Sequence, residues 1–161
     1  MKNVILLLAA AAFSLAAQAP DTTLKPDFSG RWRMVKDKSQ FSGFKVPDLI
    51  SRVIDQHDPI MNVHTVTTAD GKTSIADTVY STDGATTDNV INGRNAQSKT
   101  YWDGAVLVVR TTMKTAKGDD EVIEDRWALS DDKQTLTTAS HIETDKGQVD
   151  MTLVCARQAA K

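Results

Sequence analysis

Few side chains in this chain could perform chemistry, and their spacing matches no known catalytic motif. The three histidines, His57, His64 and His141, lack the spacing of a metal-binding motif, and a single cysteine cannot supply a ligand pair. No serine lies in the Gly-x-Ser-x-Gly turn that presents a nucleophile. The carboxylates cluster at turns, where solvated acids are expected. We therefore predict no catalytic residue, no metal site and no cofactor.

Several cationic and phenolic side chains could instead contact the polar end of a ligand. They are Arg52, Tyr80, Lys99, Tyr101 and Arg110. Arg126 stands between Asp125 and Trp127, so an alternating strand would turn it away from the Trp127 face. We expect an outward ion pair for Arg126, which is worth about 0–1 kcal/mol on a surface. The alternative is that it anchors an anionic ligand.

The only cysteine, Cys155, excludes an internal disulfide bond. It lies in an alternating apolar stretch, where a free cysteine behaves as a small buried hydrophobic residue. Dimerisation through Cys155, or a reactive thiol, is the alternative.

The elements that position these residues are separated by regular turn signals from His57 onward. Asp-Gly or Asn-Gly pairs occur at 70–71, 83–84, 92–93 and 103–104, and other turn pairs at 58–59, 117–118, 131–132 and 146–147. Glycine takes up positive φ without steric cost, so such pairs are typical of tight hairpins. The intervals, about nine to fifteen residues, hold one strand each and no useful helix.

The sequence therefore predicts an all-β fold, an antiparallel up-and-down meander closed into a barrel of eight to ten strands. Closure is expected because it removes both exposed edges of the sheet. A short helical turn is predicted near 48–51, where Asp48 could cap a helical pattern. Strands are predicted near 29–36, 52–57, 60–69, 72–80, 86–92, 96–103, 105–114, 120–129, 134–143 and 148–157.

The N-terminal segment, residues 1–19, has the pattern of a secretory signal peptide. Lys2 is followed by an apolar run over 4–17, and Ala17-Gln18-Ala19 fits a cleavage site. We expect cleavage, a disordered leader over 20–27, a single barrel domain over 28–158, and a secreted or periplasmic protein without a stable membrane anchor. Loss of Lys2 would take the formal net charge from −2 to −3, which argues against a nucleic-acid partner.

Three stretches together resemble the calycins, the superfamily of lipocalins and fatty-acid-binding proteins. They are Gly30-x-Trp32 on the first predicted strand, YWDGAVLVV at 101–109 and EDRWALSDDKQTLTT at 124–138. The layout is most similar to small secreted bacterial proteins described as lipocalin-like. The resemblance implies that Trp32 closes one end of the barrel and that Arg157, on the last strand, packs across it.

The chain also departs from the fatty-acid-binding proteins in the features that hold their ligand. Their last-strand Arg-x-Tyr pair falls on Leu153-Val154-Cys155, and about fifteen residues stand where their helical lid would be. The lipocalin Thr-Asp-Tyr motif is not evident. A fatty-acid ligand is therefore not implied by the barrel alone.

Alternation along the predicted strands defines a set of candidate ligand-binding residues in the barrel interior. The set is Trp32, Met34, Leu107, Val109, Met113, Ile123, Trp127, Leu129, Met151 and Leu153. Apolar alternation fits a packed core as well as it fits a lined pocket. Two functions remain open: a secreted or periplasmic binding protein for a small hydrophobic or amphipathic ligand, or a non-catalytic structural or protein-interaction module of the cell envelope with a solid barrel. In the second, Phe41 and Phe44 would contact the partner.

Overall fold

The structure, a computed structural model, describes residues 24–115 and 117–159 and consists almost entirely of antiparallel strands. A single 3-10 turn, Lys36–Lys38, interrupts them within the described part of the chain. The strands are β1 (Gly30–Met34), β2 (Gln40–Phe41), β3 (Leu49–His57), β4 (Ile60–Ala69), β5 (Lys72–Ser81), β6 (Thr87–Ile91), β7 (Arg94–Asp103), β8 (Val106–Lys114), β9 (Asp120–Leu129), β10 (Thr135–Thr144) and β11 (Gly147–Gln158).

Ten of these strands form one nearly closed barrel in the order β5-β4-β3-β1-β11-β10-β9-β8-β7-β6. The first strand, β1, pairs with both β3 and β11, so the first and the last strand are neighbours in the sheet. The short β2 pairs with β11 outside this path. The predicted up-and-down barrel is confirmed, and it has ten strands.

An asparagine side chain joins the two strands at the ends of this path, β5 and β6. The Val79 backbone N–H donates to Asn89 Oδ1 at 2.8 Å, and Asn89 Nδ2 donates to the Val79 carbonyl at 3.0 Å. The side-chain amide thus offers Val79 the donor and acceptor that a neighbouring strand would normally supply. Nearer the β5–β6 turn, the Thr100 hydroxyl on β7 donates to the carbonyl of Ser81, the last residue of β5.

The helical turn expected at 48–51 is replaced by the start of β3. The Asp48 backbone N–H donates to the Thr68 carbonyl at 2.8 Å, and Leu49 lies directly opposite Thr68. Pairing with β4 satisfies these backbone groups along the whole segment, which an isolated helical turn could not do. The period is therefore two, and Arg52 shares the inner face with Ile50 and Ile54.

The N-terminal expectations fall partly outside the described residues. The predicted signal peptide, 1–19, lies wholly outside them. Within the expected leader, the Lys25 ammonium lies 5.5 Å from the centre of the Trp102 ring, and Gln56 Nε2 contacts the Pro26 carbonyl at 3.5 Å. Residues 25 and 26 are thus in contact with the barrel. Phe41, expected in an exposed loop, is half-buried in β2 and packs against the core, whereas Phe44 is exposed.

The core fills the end of the barrel formed by the turns β3–β4, β5–β6, β7–β8 and β9–β10, here called the closed end. Phe28 stacks on Trp102 and meets Trp127 edge-on, each with ring centres 6.1 Å apart. The Trp32 indole donates to the Phe28 carbonyl at 2.9 Å. Leu107, like these rings, is buried in one continuous cluster. The opposite end, formed by the turns β4–β5, β6–β7, β8–β9 and β10–β11, is called the open end.

Candidate functional site

The residues predicted to line the interior all lie on the inner face, but they differ in accessibility. Trp32, Met34, Leu107, Val109, Met113, Trp127 and Leu153 are buried. Ile123, Leu129 and Met151 remain partly accessible. Most of the predicted set therefore packs together in the core cluster, and its three accessible members are on β9 and β11.

Trp32 and Arg157 are brought together at the closed end. They lie opposite each other in the β1–β11 pair, and the guanidinium carbon of Arg157 is 4.2 Å from the centre of the Trp32 ring. At this distance a cation–π attraction is expected, and the stacked guanidinium covers one face of the indole. This contact belongs to the architecture of the closed end.

Toward the open end, inner-face side chains become accessible to solvent one row beyond the packed core. Residues directly opposite one another in neighbouring strands form a row, and Leu107, Trp127, Thr138 and Leu153 form a fully buried one. The next row toward the open end contains Val109, Asp125, Ser140 and Met151, of which the last three are partly accessible. The inner wall is therefore packed at the closed end and partly accessible from the level of Asp125 on β9, β10 and β11, whereas Thr111 and Met113 on β8 stay buried above that level.

Arg52 is the cationic group of this interior. Its guanidinium carbon lies 4.9 Å from the centre of the Trp127 ring, and Nη1 donates to Thr138 Oγ1 at 3.0 Å. Arg52, Trp127 and Thr138 thus form a polar cluster in the interior. Two of its donors, Arg52 Nε and Trp127 Nε1, are buried without a hydrogen-bond partner among the described residues. Such groups carry a desolvation cost unless an acceptor reaches them.

Asp125 is the acidic group at the same level. The barrel wall encloses its carboxyl group, and this burial raises its pKa, although the Ser140 side chain opposite it and the positive charge of Arg52 both act in the other direction. Asp125 nevertheless keeps part of its surface accessible, so it lies on the wall of the accessible interior. Burial also raises the pKa of Tyr80, whose ring meets Trp127 edge-on at 6.2 Å.

The other polar candidates from the sequence lie outside the barrel. Lys99 and Tyr101 are exposed, and Arg110 faces Glu124 on the outer surface at 3.6 Å. The predicted outward ion pair of Arg126 is formed with Asp103. Of the polar candidates, only Arg52 and Tyr80 face the interior.

Asp125 and Ser140 were not predicted from the sequence as site residues. The available signal was alternation, since Asp125 precedes Trp127 by two residues and so shares its face. Among the described residues, no group of three or more His, Cys, Asp or Glu side chains is placed to hold a metal ion. Likewise, no helix of the described residues is long and apolar enough to cross a membrane.

A cleft of about 860 Å³ lies where β5 and β6 diverge. Its lining includes Val79 and Val90 from the outer surface, and Asn89, Ala96 and Met113 from the inner face. Because residues of both faces line the same cleft, the wall of the barrel is indented at the seam that Asn89 bridges.

Comparison with known proteins identifies the fold. No family model and no curated protein matches the sequence. A secretory abundant heat soluble (SAHS) protein from Ramazzottius varieornatus superposes with a TM-score of 0.60 at 14% identity, covering 81% of this chain and 94% of that one. Lipid binding protein 8 of Caenorhabditis elegans gives 0.57 at 10% identity, covering 81% and 95%.

Zebrafish ileal bile acid-binding protein, in complex with cholic acid, gives a TM-score of 0.56 at 13% identity and covers 81% of this chain and 98% of that one. Identities this low relate the backbones alone. The chain therefore has the up-and-down barrel fold of the calycins, as its sequence resemblance implied.

Proposed function

We propose that this chain is a non-enzymatic binding protein that holds a small hydrophobic or amphipathic molecule inside the barrel. The observation that carries the proposal is the accessible inner wall of β9, β10 and β11, which begins one row above two buried donors, Arg52 Nε and Trp127 Nε1, that have no partner among the described residues. A guest that reaches this level would contact apolar side chains such as Met151 and would supply the missing acceptors. The cleft at the β5–β6 seam offers it a route through the wall.

The structural neighbours support binding of this kind. They include a lipid binding protein and a bile acid-binding protein in complex with cholic acid. Both proteins share the barrel, and an interior site in this chain would use the same space. We also propose a secreted or periplasmic location, on the basis of the signal-peptide pattern over 1–19.

The proposal is tested by asking what the native protein carries and whether its interior accepts an apolar dye. The protein is purified without denaturant, extracted with organic solvent and examined by mass spectrometry for a stoichiometric small molecule. Binding of Nile red, an uncharged dye that brightens in apolar surroundings, is then titrated. We expect a saturable Nile red signal with a stoichiometry near one.

A pair of matched variants locates the dye. Ser140→Phe places a large ring on the inner face at the accessible level, whereas Ala139→Phe places the same ring on the exposed outer face of the same strand. We expect Ser140→Phe to weaken Nile red binding at least tenfold and Ala139→Phe to change it less than twofold. If nothing is extracted and Nile red does not bind, the proposed binding function is wrong.

A further inference from the structure

We propose that Arg52 and Asp125 select a ligand whose polar end is an uncharged hydrogen-bonding group, an alcohol or a primary amide, over a carboxylate. This inference rests on the proposed function, since it names the chemical class of ligand that the same interior accepts. It depends on the geometry of a single polar cluster built from three strands, β3, β9 and β10.

The first reason is the balance of charge between Arg52 and Asp125. Arg52 on β3 packs on the ring of Trp127, and Asp125 lies two residues before Trp127 on the same inner face of β9, so one cation and one acid share this part of the interior. A bound carboxylate would place a second acid beside Asp125, in surroundings where burial already disfavours the ionised form of the first. An alcohol or amide brings no charge and leaves the balance between Arg52 and Asp125 unchanged.

The second reason is the set of hydrogen-bond donors and acceptors that the cluster offers to a ligand. The cluster presents the carboxyl oxygens of Asp125 and two donors that lack a partner in the described part of the chain, Arg52 Nε and Trp127 Nε1. The remaining Arg52 contact, from Nη1 to Thr138 Oγ1, holds the guanidinium in place. A ligand group that both accepts and donates hydrogen bonds can serve both sides of this cluster, and a hydroxyl or a primary amide does so. An ionised carboxylate only accepts and has nothing to donate to Asp125.

The third reason is that the cation of this cluster comes from β3 and not from the last-strand Arg-x-Tyr position, whose Leu153 lies directly opposite Thr138. That position falls on Leu153, Val154 and Cys155, so it offers no cation and no phenol. Arg52 reaches the interior from β3 instead, and Asp125 faces it from β9. The specificity of this interior therefore has to be derived from its own residues.

The test compares two ligands with the same chain and different polar ends, 1-decanol and decanoate, as competitors of Nile red at pH 7.5. The two differ in water solubility, so the informative quantity is the change of each affinity when the protein is altered. Asp125→Asn removes the acid and keeps the shape of the side chain. Asp131→Asn removes an exposed acid from the β9–β10 turn and serves as the matched control for net charge.

We expect Asp125→Asn to raise the affinity for decanoate at least tenfold, because Arg52 then lacks a counter-charge, and to change the affinity for 1-decanol less than threefold. Asp131→Asn should change neither by more than twofold. Arg52→Gln should weaken 1-decanol at least fivefold, because it removes a donor that the hydroxyl uses. Circular dichroism of each variant verifies that the barrel is intact.

The outcomes separate this inference from the proposed function. If Nile red and 1-decanol bind but Asp125→Asn leaves the affinity for decanoate unchanged, selection by Asp125 is wrong while the binding function stands. If neither Nile red nor either competitor binds, the proposed function fails and the inference fails with it.

Discussion

Arg157 and Trp32 stack at the closed end of the barrel, with 4.2 Å between the guanidinium carbon and the centre of the ring. Two hydrogen bonds fix the guanidinium there: Nη1 donates to the Ser29 carbonyl and Nε donates to the Lys133 carbonyl, each at 2.8 Å. One side chain from β11 thus joins the start of β1 to the β9–β10 turn. The position beside it is a glycine for a steric reason, since a Cβ on Gly30 would lie 2.4 Å from Arg157 Nη1.

A double-mutant cycle on Gly30 and Arg157 tests this arrangement. Gly30→Ala combines positive φ with the Arg157 clash, and we expect it to lower the free energy of unfolding by about 2–4 kcal/mol. Arg157→Ala should cost about 2–3 kcal/mol through the lost stacking and hydrogen bonds. The double variant should cost at least about 1 kcal/mol less than the sum, because the clash disappears with the guanidinium. Urea unfolding gives all three values.

Gly93 supplies the control for this cycle. It also has positive φ, but no atom lies within 4 Å of the Cβ that alanine would add. Gly93→Ala therefore tests backbone strain alone, and its combination with Arg157→Ala should be additive within about 0.5 kcal/mol. Additive costs for Gly30 as well would show that Gly30 and Arg157 are not coupled.

The strands and turns could be anticipated from the sequence because their signals are local, whereas the closing role of Trp32 and Arg157 was implied by the resemblance to the calycins. The Gly30-x-Trp32 stretch, the paired turn residues and the alternation around Trp127 each indicate strand structure within a few residues. The direction of Arg52 was harder to assign, since Leu49 to His57 fits both a helical and a strand period. Pairing of β3 with β1 and β4 decides between them, and those partners are remote in sequence.

The polar interior could not be anticipated for a related reason. An acid next to an arginine in sequence, as in Asp125-Arg126, is normally part of a solvated surface, and Arg126 does pair outside with Asp103. The pleat turns Asp125 the other way, toward Arg52 and Ser140 on different strands. Which side chains meet inside a barrel depends on the register of several strands, and one chain without known pairing does not reveal it.

The second prediction concerns the side-chain amide of Asn89. Asn89→Ala removes both hydrogen bonds to the backbone of Val79, so the seam between β5 and β6 should open locally. We expect a loss of about 1–3 kcal/mol in unfolding free energy and much faster amide hydrogen exchange at Val79. The neighbouring Asp88 is exposed and bonds only to Gln97 within the described residues, so Asp88→Ala is the control. Unchanged exchange at Val79 would mean that Asn89 does not hold the seam.

The third prediction concerns the dependence of stability on pH. Burial raises the pKa of Asp125 in the folded chain above its unfolded value of about 3.9. The folded chain therefore keeps this proton when the unfolded chain has lost it, so the Asp125 contribution to stability falls as pH rises from about 4 through the folded pKa. The other groups facing this carboxyl are Arg52, Ser140 and Tyr80.

Asp125→Asn removes this titration. We expect the variant to be more stable than the wild type at pH 7 and equal to it below about pH 4, measured by thermal unfolding across the range. The exposed acid of Asp131 provides the control through Asp131→Asn. A variant less stable than wild type at pH 7 would mean that the attraction between Arg52 and Asp125 outweighs the cost of burying the carboxylate.

Cys155 carries the last prediction, because the same core that closes the barrel encloses its thiol. The residue is 1% exposed between Met34 and Leu136, and burial raises the pKa of its thiol, with the charge of Arg52 acting in the opposite direction. The thiolate is the reactive form, so an aromatic disulfide reagent should react with the native protein only as fast as it opens. Adding urea should release the full reaction.

Two variants complete this test. Asp131→Cys in a Cys155→Ala background offers an exposed thiol of the same protein, and it should react at least a hundredfold faster than native Cys155. Cys155→Ser should cost about 1–3 kcal/mol in unfolding free energy and more than Cys155→Ala, because its hydroxyl would replace a thiol packed among apolar side chains. Equal reaction rates for the two thiols, or a disulfide-linked dimer of the native protein, would show instead that Cys155 is accessible through the barrel wall.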